Sequence, residues 1–197
     1  IKKVQSTLKE LYRRGVSRCV VVDDSKEPGE NGEEQYYKKT RGNIIVISDR
    51  RKMLFSTPTF KNEEPELSMG YTTENQNLIK MFAEYFIHNL TDLAEPVRIA
   101  YGDTVFERSF VHIPRAIRMI NSLQSKGFKP VVYVQGRFVK SGNSVELRGV
   151  PIELIYDVKE GVGRILLKTD GGLYTVGGWG AYLEDVEAYT IRVSAEK

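Results

Sequence analysis

A glycine-rich loop near the C-terminus holds the residue types best suited to recognising a ligand. The run Gly177-Gly178-Trp179-Gly180 is followed closely by Leu183-Glu184-Asp185. Glycines let the backbone approach a bound molecule and expose its N–H groups, and an aromatic ring can cover the C–H face of a sugar. The Glu184 carboxylate can accept hydrogen bonds from two hydroxyl groups. Together these residue types predict a site for a polyhydroxylated small molecule.

Each of these residues also fits a purely structural role. Trp179 is the only tryptophan in the chain, and such a residue beside glycines can simply cap a packed β-rich core. The pair Glu184-Asp185 also fits a solvated turn before the next strand. His112 precedes a predicted helix, whose first-turn N–H groups could meet a ligand hydroxyl together with the imidazole, or it could merely flank the helix cap. The residues alone leave these alternatives open.

The composition limits the chemistry open to this chain. It has 197 residues, with 29 Lys and Arg against 26 Asp and Glu, two His and one Cys. One Cys and two His cannot build an intrachain disulfide, a four-ligand zinc site or an iron–sulfur cluster. No apolar run approaches the ~20 residues that cross a bilayer, and the N-terminal residues lack the apolar core of a secretion signal. We therefore expect a cytoplasmic protein with no cofactor and no metal, and the net charge of +3 is too small to indicate nucleic-acid binding.

The first half of the chain alternates helical and strand patterns. Apolar residues at helical spacing predict a helix over residues 4–12, and the β-branched run 18–22 predicts a buried strand. Residues 24–42 are polar and predict a loop. Two short apolar runs, 43–47 and 52–55, flank a polar turn and predict a hairpin, and a second polar stretch, 61–66, follows them. A helix is then predicted over 74–90, with one apolar face formed by Leu78, Phe82, Tyr85, Phe86 and Leu90.

The second half is rich in glycine and in short β-branched runs. It opens with a predicted helix whose apolar side carries Ile113, Ile117, Ile120 and Leu123. Six or seven short strands follow, and the sequence Thr169-Asp-Gly-Gly172 predicts a tight hairpin. Strands at this spacing are typical of a small barrel or rolled sheet. We place a domain boundary near Ala94-Glu95-Pro96, which gives domains of residues 1–95 and 96–197.

The stretch Thr175-Val-Gly-Gly-Trp-Gly-Ala-Tyr-Leu-Glu-Asp-Val-Glu-Ala-Tyr189 resembles the tail of the TrmB family of archaeal sugar-sensing transcriptional regulators. The resemblance implies an α+β or α/β fold: a phospholipase D-like α/β layer that serves as a scaffold for a homodimer, then a helix and a β-rich, barrel-like sugar-binding domain. In that family a winged helix-turn-helix domain, which binds operator DNA, precedes these parts. The chain starts at Ile1, so we expect an effector-binding fragment that lacks this domain.

The resemblance also implies the residues that contact a sugar such as maltose, sucrose or a maltodextrin. The family's glycine and glutamate fall on Gly178 and Glu184. Trp179 stands where the family's maltose-binding form has a methionine, and Leu183 where it has a tryptophan, so the aromatic ring has moved along the loop. The position of a sugar-contacting asparagine falls near Gly163.

Two other function classes remain open from the sequence. Phospholipase D chemistry needs a His-x-Lys-x4-Asp motif, but counting back from Asp49 places Gly42 and Ile44 at the His and Lys positions, so we expect no such activity. A glycosidase could use two carboxylates such as Glu184 and Glu153. An oligonucleotide-binding barrel could use Arg137, Lys140, Arg148 and Tyr133. Among these hypotheses, we expect the chain to be part of a regulator rather than an enzyme.

Overall fold

The computed structural model describes residues 10, 19–22, 34–38, 44–61, 64–99, 107–157, 159–160 and 162–196. The predicted helix over 4–12 lies outside these ranges apart from the helical Glu10. The chain forms two compact units, one comprising Cys19–Ile99 and the other containing the described residues from 107 onward. The fold class is α+β, with mostly antiparallel sheets.

The described elements follow one another in this order: β1 (Cys19–Val22), β2 (Glu34–Tyr37), β3 (Ile44–Ser48), β4 (Lys52–Lys61), β5 (Glu64–Thr73), α1 (Gln76–Tyr85), a π-helical segment (Phe86–Thr91), β6 (Glu95–Ile99), β7 (Glu107–Phe110), α2 (Ile113–Ser125), β8 (Lys129–Phe138), β9 (Ser144–Asp157), β10 (Val162–Thr169), β11 (Gly172–Gly177) and β12 (Val186–Glu196).

A three-stranded sheet in the first unit has the order β1-β2-β6, with β1 and β2 parallel and β2 and β6 antiparallel. The strand predicted over 18–22 is confirmed as β1. The loop predicted over 24–42 is wrong at residues 34–37, where β2 pairs on both of its edges. Gln35 and Tyr36 are buried there, so contacts with distant strands outweigh the polar local sequence.

The predicted hairpin is confirmed as β3 and β4, which pair from Ile44–Ser56 to Ser48–Lys52. Its turn needs two left-handed residues, and Asp49 and Arg50 adopt φ angles of 49° and 60°. The polar stretch predicted after the hairpin is instead part of a longer ladder, because β4 continues to Lys61 and pairs with Glu64 of β5.

The helix predicted over 74–90 is confirmed as α1 and the π-helical segment, but its predicted apolar face is only partly right: Leu90 is buried and Phe82 and Phe86 are half-buried. Asn75 caps α1 by accepting hydrogen bonds from the N–H groups of Asn77 and Leu78, both at 3.1 Å. The buried side chains are Ile79, Ala83, Ile87 and Leu90, whereas Leu78 and Tyr85 are each 44% exposed. The helix is therefore turned by about one residue from the predicted orientation, and the two apolar stripes have the same spacing.

The second unit is one six-stranded sheet in the order β11-β10-β9-β8-β12-β7. In addition, β11 pairs in parallel with β12 through Val176–Val186 and Gly177–Glu187. The hydrogen-bonded circuit of β8, β9, β10, β11 and β12 thus returns to its starting strand. The barrel and the phospholipase D-like layer stay predictions, since the structure establishes these pairings and no named architecture.

The core of the second unit lies between this sheet and α2. The predicted apolar side of α2 is confirmed, with Ile113, Ile117, Ile120 and Leu123 all buried. The remaining buried members of this core are Phe110, Ala116, Met119, Val132, Val134, Ile165, Leu167, Val176, Val186, Ala188, Ile191 and Val193. At about 25 cal/mol per Å² of apolar area, burial of this set is the main favourable contribution to folding of the unit.

The short apolar runs 130–134 and 137–139 predict two strands but belong to the single strand β8, which ends at Phe138, and the runs 145–147 and 152–156 both lie in β9. No strand was predicted at β7. Gly136 interrupts the apolar pattern of β8 and explains why two strands were predicted there. A Cβ on Gly136 would lie 2.1 Å from the Glu187 carbonyl oxygen, so only glycine lets β12 approach there. A β-bulge of β12 between Ala188 and Thr190 lies at this same place.

Candidate ligand-binding site

The candidate site is built on the segment of residues 178–185, here called the 178–185 loop, which joins β11 to β12. Because Gly177 pairs with Glu187, the loop leaves and re-enters the sheet on adjacent strands. Gly180 adopts a left-handed φ of 83°, and the Ala181 N–H donates to the Gly178 carbonyl at 3.1 Å. These contacts make the loop a compact turn anchored at its base.

Asp185 fixes the C-terminal end of the loop to β11. Its carboxylate accepts from the Thr175 N–H at 2.8 Å and from the Thr175 hydroxyl at 2.7 Å. The Asp185 N–H donates in turn to the Thr175 carbonyl at 3.0 Å. The backbone hydrogen bond from Thr175, followed by that from its hydroxyl, lowers the pKa of Asp185 below its ordinary value of 3.8.

Glu187 fixes the middle of the loop to the sheet. Its Oε1 accepts from the Gly180 N–H at 2.8 Å, and its Oε2 accepts from Arg137 Nε at 2.7 Å. Glu187 is 4% exposed, whereas the Arg137 side chain is half-exposed, so the ion pair lies at the edge of the sheet surface with its carboxylate buried. The hydrogen bond to Glu187 raises the pKa of Arg137 above its ordinary value.

Three of the predicted site residues converge at the start of α2. A Cβ on Gly163 would lie 2.8 Å from Ile113 Cγ2, and one on Gly178 would lie 2.9 Å from the same atom. His112 is the residue immediately before, with an extended backbone and a carbonyl that accepts from the Ala116 N–H at 3.3 Å. The structure therefore brings Gly163 and Gly178 against the side chain of Ile113, the residue that follows His112, and both glycines make room for it.

The other predicted residues lie along the 178–185 loop. Trp179 and Glu184 are half-buried, whereas Leu183 is 80% exposed. A Cβ on Gly177 would lie 2.8 Å from Glu184 Oε2, so the Glu184 carboxylate lies directly over this glycine. The loop thus presents one carboxylate and one exposed leucine on a glycine base.

The sequence did not single out three residues that shape this site. Tyr182, next to Leu183, is 78% exposed and adds an aromatic ring to the loop surface. Thr175 and Glu187 hold the loop through the contacts described above. Tyr182 was visible as an aromatic residue inside the motif, but the roles of Thr175 and Glu187 depend on strand pairing and leave no signal in the sequence.

The residues considered for nucleic-acid binding do not act as one group. Arg137 binds Glu187. The Tyr133 ring lies beneath the guanidinium groups of Arg148 and Arg192, at 5.5 and 4.4 Å from its centroid, and Arg148 Nε donates to the Tyr133 hydroxyl at 2.9 Å. These cation–π contacts join three strands of the sheet.

A shallow cavity of about 360 Å³ lies in the first unit, on the sheet formed by β3, β4 and β5. Its walls include Val46, Leu54 and Thr72, and the ion pair of Lys52 with Glu74, at 2.9 Å, lies at its rim. None of the predicted site residues lines this cavity. Among the described residues, no helix is long and apolar enough to span a membrane, and no cluster of three or more His, Cys, Asp or Glu has the geometry to hold a metal ion.

Comparison with known proteins identifies the second unit. No curated protein sequence matched the chain. Residues 105–196 match the family model described as TrmB/TrmBL1, EBD C-terminal subdomain, in which EBD denotes the effector-binding domain. This range begins just before β7 and contains the 178–185 loop, α2 and the whole six-stranded sheet. The resemblance predicted from Thr175–Tyr189 is thereby confirmed: residues 105–196, just under half of the chain, are similar to the C-terminal subdomain of the effector-binding domain of the TrmB family.

Proposed function

We propose that the second unit binds a mono- or disaccharide, such as maltose, sucrose or a short maltodextrin, between the start of α2 and the 178–185 loop. The observation that carries the proposal is the close approach of Gly163 and Gly178 to Ile113, directly after His112 at the start of α2. Residues far apart in the sequence meet there beside a loop that presents a carboxylate and apolar side chains.

In this proposal, different side chains supply the hydrogen bonds and the apolar contacts to the sugar. Glu184 accepts hydrogen bonds from vicinal hydroxyl groups. Trp179, Tyr182 and Leu183 offer apolar surface to the C–H face of the ring. His112 and the N–H groups of the first turn of α2 supply further hydrogen-bonding groups at the opposite side.

The signal passes to DNA through a change in the preferred arrangement of a dimer. In this proposal the protein is a cytoplasmic, archaeal repressor, its first unit is a phospholipase D-like scaffold that pairs in a homodimer, and an N-terminal winged helix-turn-helix domain binds operator DNA. The sugar alters DNA binding only to the extent that it prefers one of two dimer arrangements.

Titration calorimetry of the chain with maltose, sucrose, trehalose, maltodextrins and glucose tests the proposal. We expect heat from at least one sugar, and weakening of its Kd by roughly 10-fold or more in Glu184→Gln, since a hydrogen bond to a charged group contributes about 1.5–3 kcal/mol. Glu146→Gln is the matched control, because Glu146 lies on β9 and bonds the Gln135 side chain instead.

Absence of heat from every sugar, in a chain shown to be folded by circular dichroism, would contradict the proposal. Turnover of a chromogenic glycoside that is lost in Glu184→Gln and in Glu153→Gln would instead favour a glycosidase. Salt-dependent retention on single-stranded DNA would favour the nucleic-acid alternative, because phosphate contacts release counterions.

A further inference from the structure

The Glu187 carboxylate is a buried charge with two different partners. One oxygen accepts from a backbone N–H of the 178–185 loop, and the other accepts from a guanidinium on β8. Because Glu187 is only 4% exposed, burial of its charged carboxylate costs free energy unless both oxygens accept hydrogen bonds. Its position at the base of the loop separates it from the residues proposed to meet a ligand.

We propose that Glu187 is a positioning residue that locks the 178–185 loop in its binding conformation, with Arg137 holding the carboxylate and the carboxylate holding Gly180. The effect on sugar affinity rests on the function proposed above, whereas the effect on the loop does not. Glu187 itself makes no contact with the sugar in this proposal.

The hydrogen-bond pattern explains why a carboxylate is required. Both of its partners, Arg137 Nε and the Gly180 N–H, are donors, and only a carboxylate presents two acceptors. A glutamine at this position has one acceptor oxygen and one NH2 group. The charged Arg137 is the stronger partner and takes the oxygen, so the NH2 group would face the Gly180 N–H, donor against donor.

The geometry around Gly180 makes the lock specific. Its φ of 83° is a left-handed conformation that glycine adopts without strain. That conformation lets its N–H reach Glu187 Oε1 at 2.8 Å. An alanine at this position would be strained in the same conformation, so Gly180→Ala offers a second way to release the loop that leaves the carboxylate intact.

Trp179 reports the state of the lock without any ligand. It is the only tryptophan in the chain, is half-buried, and directly precedes Gly180. We expect Glu187→Gln to shift the Trp179 emission to longer wavelength and to raise its quenching by acrylamide at least about 2-fold, with the far-ultraviolet circular dichroism unchanged. Gly180→Ala should do the same, and the double variant should add little, because both changes break one contact. Glu146→Gln, an exposed carboxylate on β9, should leave the fluorescence unchanged.

Calorimetry with maltose, and with any panel sugar that binds the unaltered chain, then measures the functional consequence. We expect Kd to rise about 10-fold in Glu187→Gln and in Gly180→Ala. Unchanged Trp179 quenching in both variants would show that Glu187 does not hold the loop. Increased quenching with an unchanged sugar Kd would show that holding the loop does not affect sugar binding, and would overturn the positioning role. If no sugar binds the unaltered chain, the proposed function fails while the quenching experiment still decides whether Glu187 holds the loop. If Glu187→Gln does not fold, Gly180→Ala carries the same test.

Discussion

At the scale of single residues, the second unit depends on positions where a side chain would not fit. Gly163 and Gly178 both lie against Ile113 Cγ2, and each has room only for a hydrogen atom. Their first role is therefore to let the start of α2 pack against the sheet, which places Ile113, the residue after His112, against Gly178 of the 178–185 loop.

Substituting Gly163 by alanine should destabilise the protein by about 1–3 kcal/mol, the usual cost of overpacking, because the new Cβ would lie 2.8 Å from Ile113 Cγ2. Urea unfolding measures the change. Gly171→Ala is the control, since its Cβ would have no neighbour nearer than 3.5 Å. In an Ile113→Ala background the penalty should largely disappear, and an undiminished penalty there would mean that Ile113 is not its cause.

The Asp185 carboxylate gives the stability of the protein a dependence on acidity. Its pKa is lower in the folded protein than the ordinary value of 3.8, so its contribution is fully present above that value and is lost as the pH falls through the folded pKa. The stability difference between the unaltered chain and Asp185→Asn should be largest near neutral pH and shrink below pH 3.8. Urea unfolding at several pH values tests this, and a difference that stays constant down to acidic pH would contradict it.

At the scale of elements, the π-helical segment after α1 is tied to its neighbours by His88. His88 Nε2 lies 3.1 Å from Glu84 Oε2, and His88 Nδ1 lies 3.2 Å from Asp92 Oδ2. The Asp92 side chain is 3% exposed, so this end of the triad is buried. Through these two contacts the imidazole joins α1, the π-helical segment and the turn that follows it.

His88→Ala should therefore cost about 1–3 kcal/mol, because the Asp92 carboxylate loses a partner in a buried place. Asn89→Ala is the matched control, since Asn89 is exposed and lies beside His88 in the same segment. Chemical unfolding followed by circular dichroism measures both. Equal losses in the two variants would show that the segment does not rely on the imidazole.

The orientation of α1 can be checked with two adjacent residues. Ile79 is fully buried and Leu78 is 44% exposed. Ile79→Ala should lower the free energy of unfolding by about 2–5 kcal/mol, as is usual for a large side chain removed from a core, whereas Leu78→Ala should change it by less than about 1 kcal/mol. The reverse order would restore the helix face predicted from the sequence.

At the scale of the whole molecule, the two units are expected to respond differently to a ligand. A sugar that binds only the folded second unit stabilises it by mass action, by about 2.7 kcal/mol at a concentration 100-fold above Kd. Amide hydrogen exchange should slow in α2, β11 and β12, and remain unchanged in β3, β4 and β5. Mannitol at the same concentration serves as the control for a general osmolyte effect, and equal protection by both compounds would argue against a specific site.

The sequence correctly predicted those elements whose apolar pattern is compatible with only one buried face. The apolar side of α2 was predicted correctly because Ile113, Ile117, Ile120 and Leu123 form its one strong stripe. The side of α1 was predicted only in part, because a stripe through Ile79 and one through Leu78 have equal spacing, and only packing decides which one is buried. β2 was missed because Glu34–Tyr37 lacks an apolar run and becomes a strand through its two neighbours.

The same distinction applies to the candidate site. Gly178 and Glu184 lie within one short motif, so their residue types together with the family resemblance of that motif pointed to them. His112 and Gly163 belong to the site only because the start of α2 packs against the sheet. Glu187 acquires its role from the pairing of β12 with both β8 and β11, which brings Arg137 to one oxygen and Gly180 to the other.

The parallel pairing of Gly177 with Glu187 also makes the register of the sheet independent of the length of the loop. Because the chain departs and returns at neighbouring ladder positions, segments of other lengths can be exchanged between Gly177 and Val186 without shifting the register of any strand. The loop can therefore differ in length or composition while the pairing of β11 with β12 stays the same.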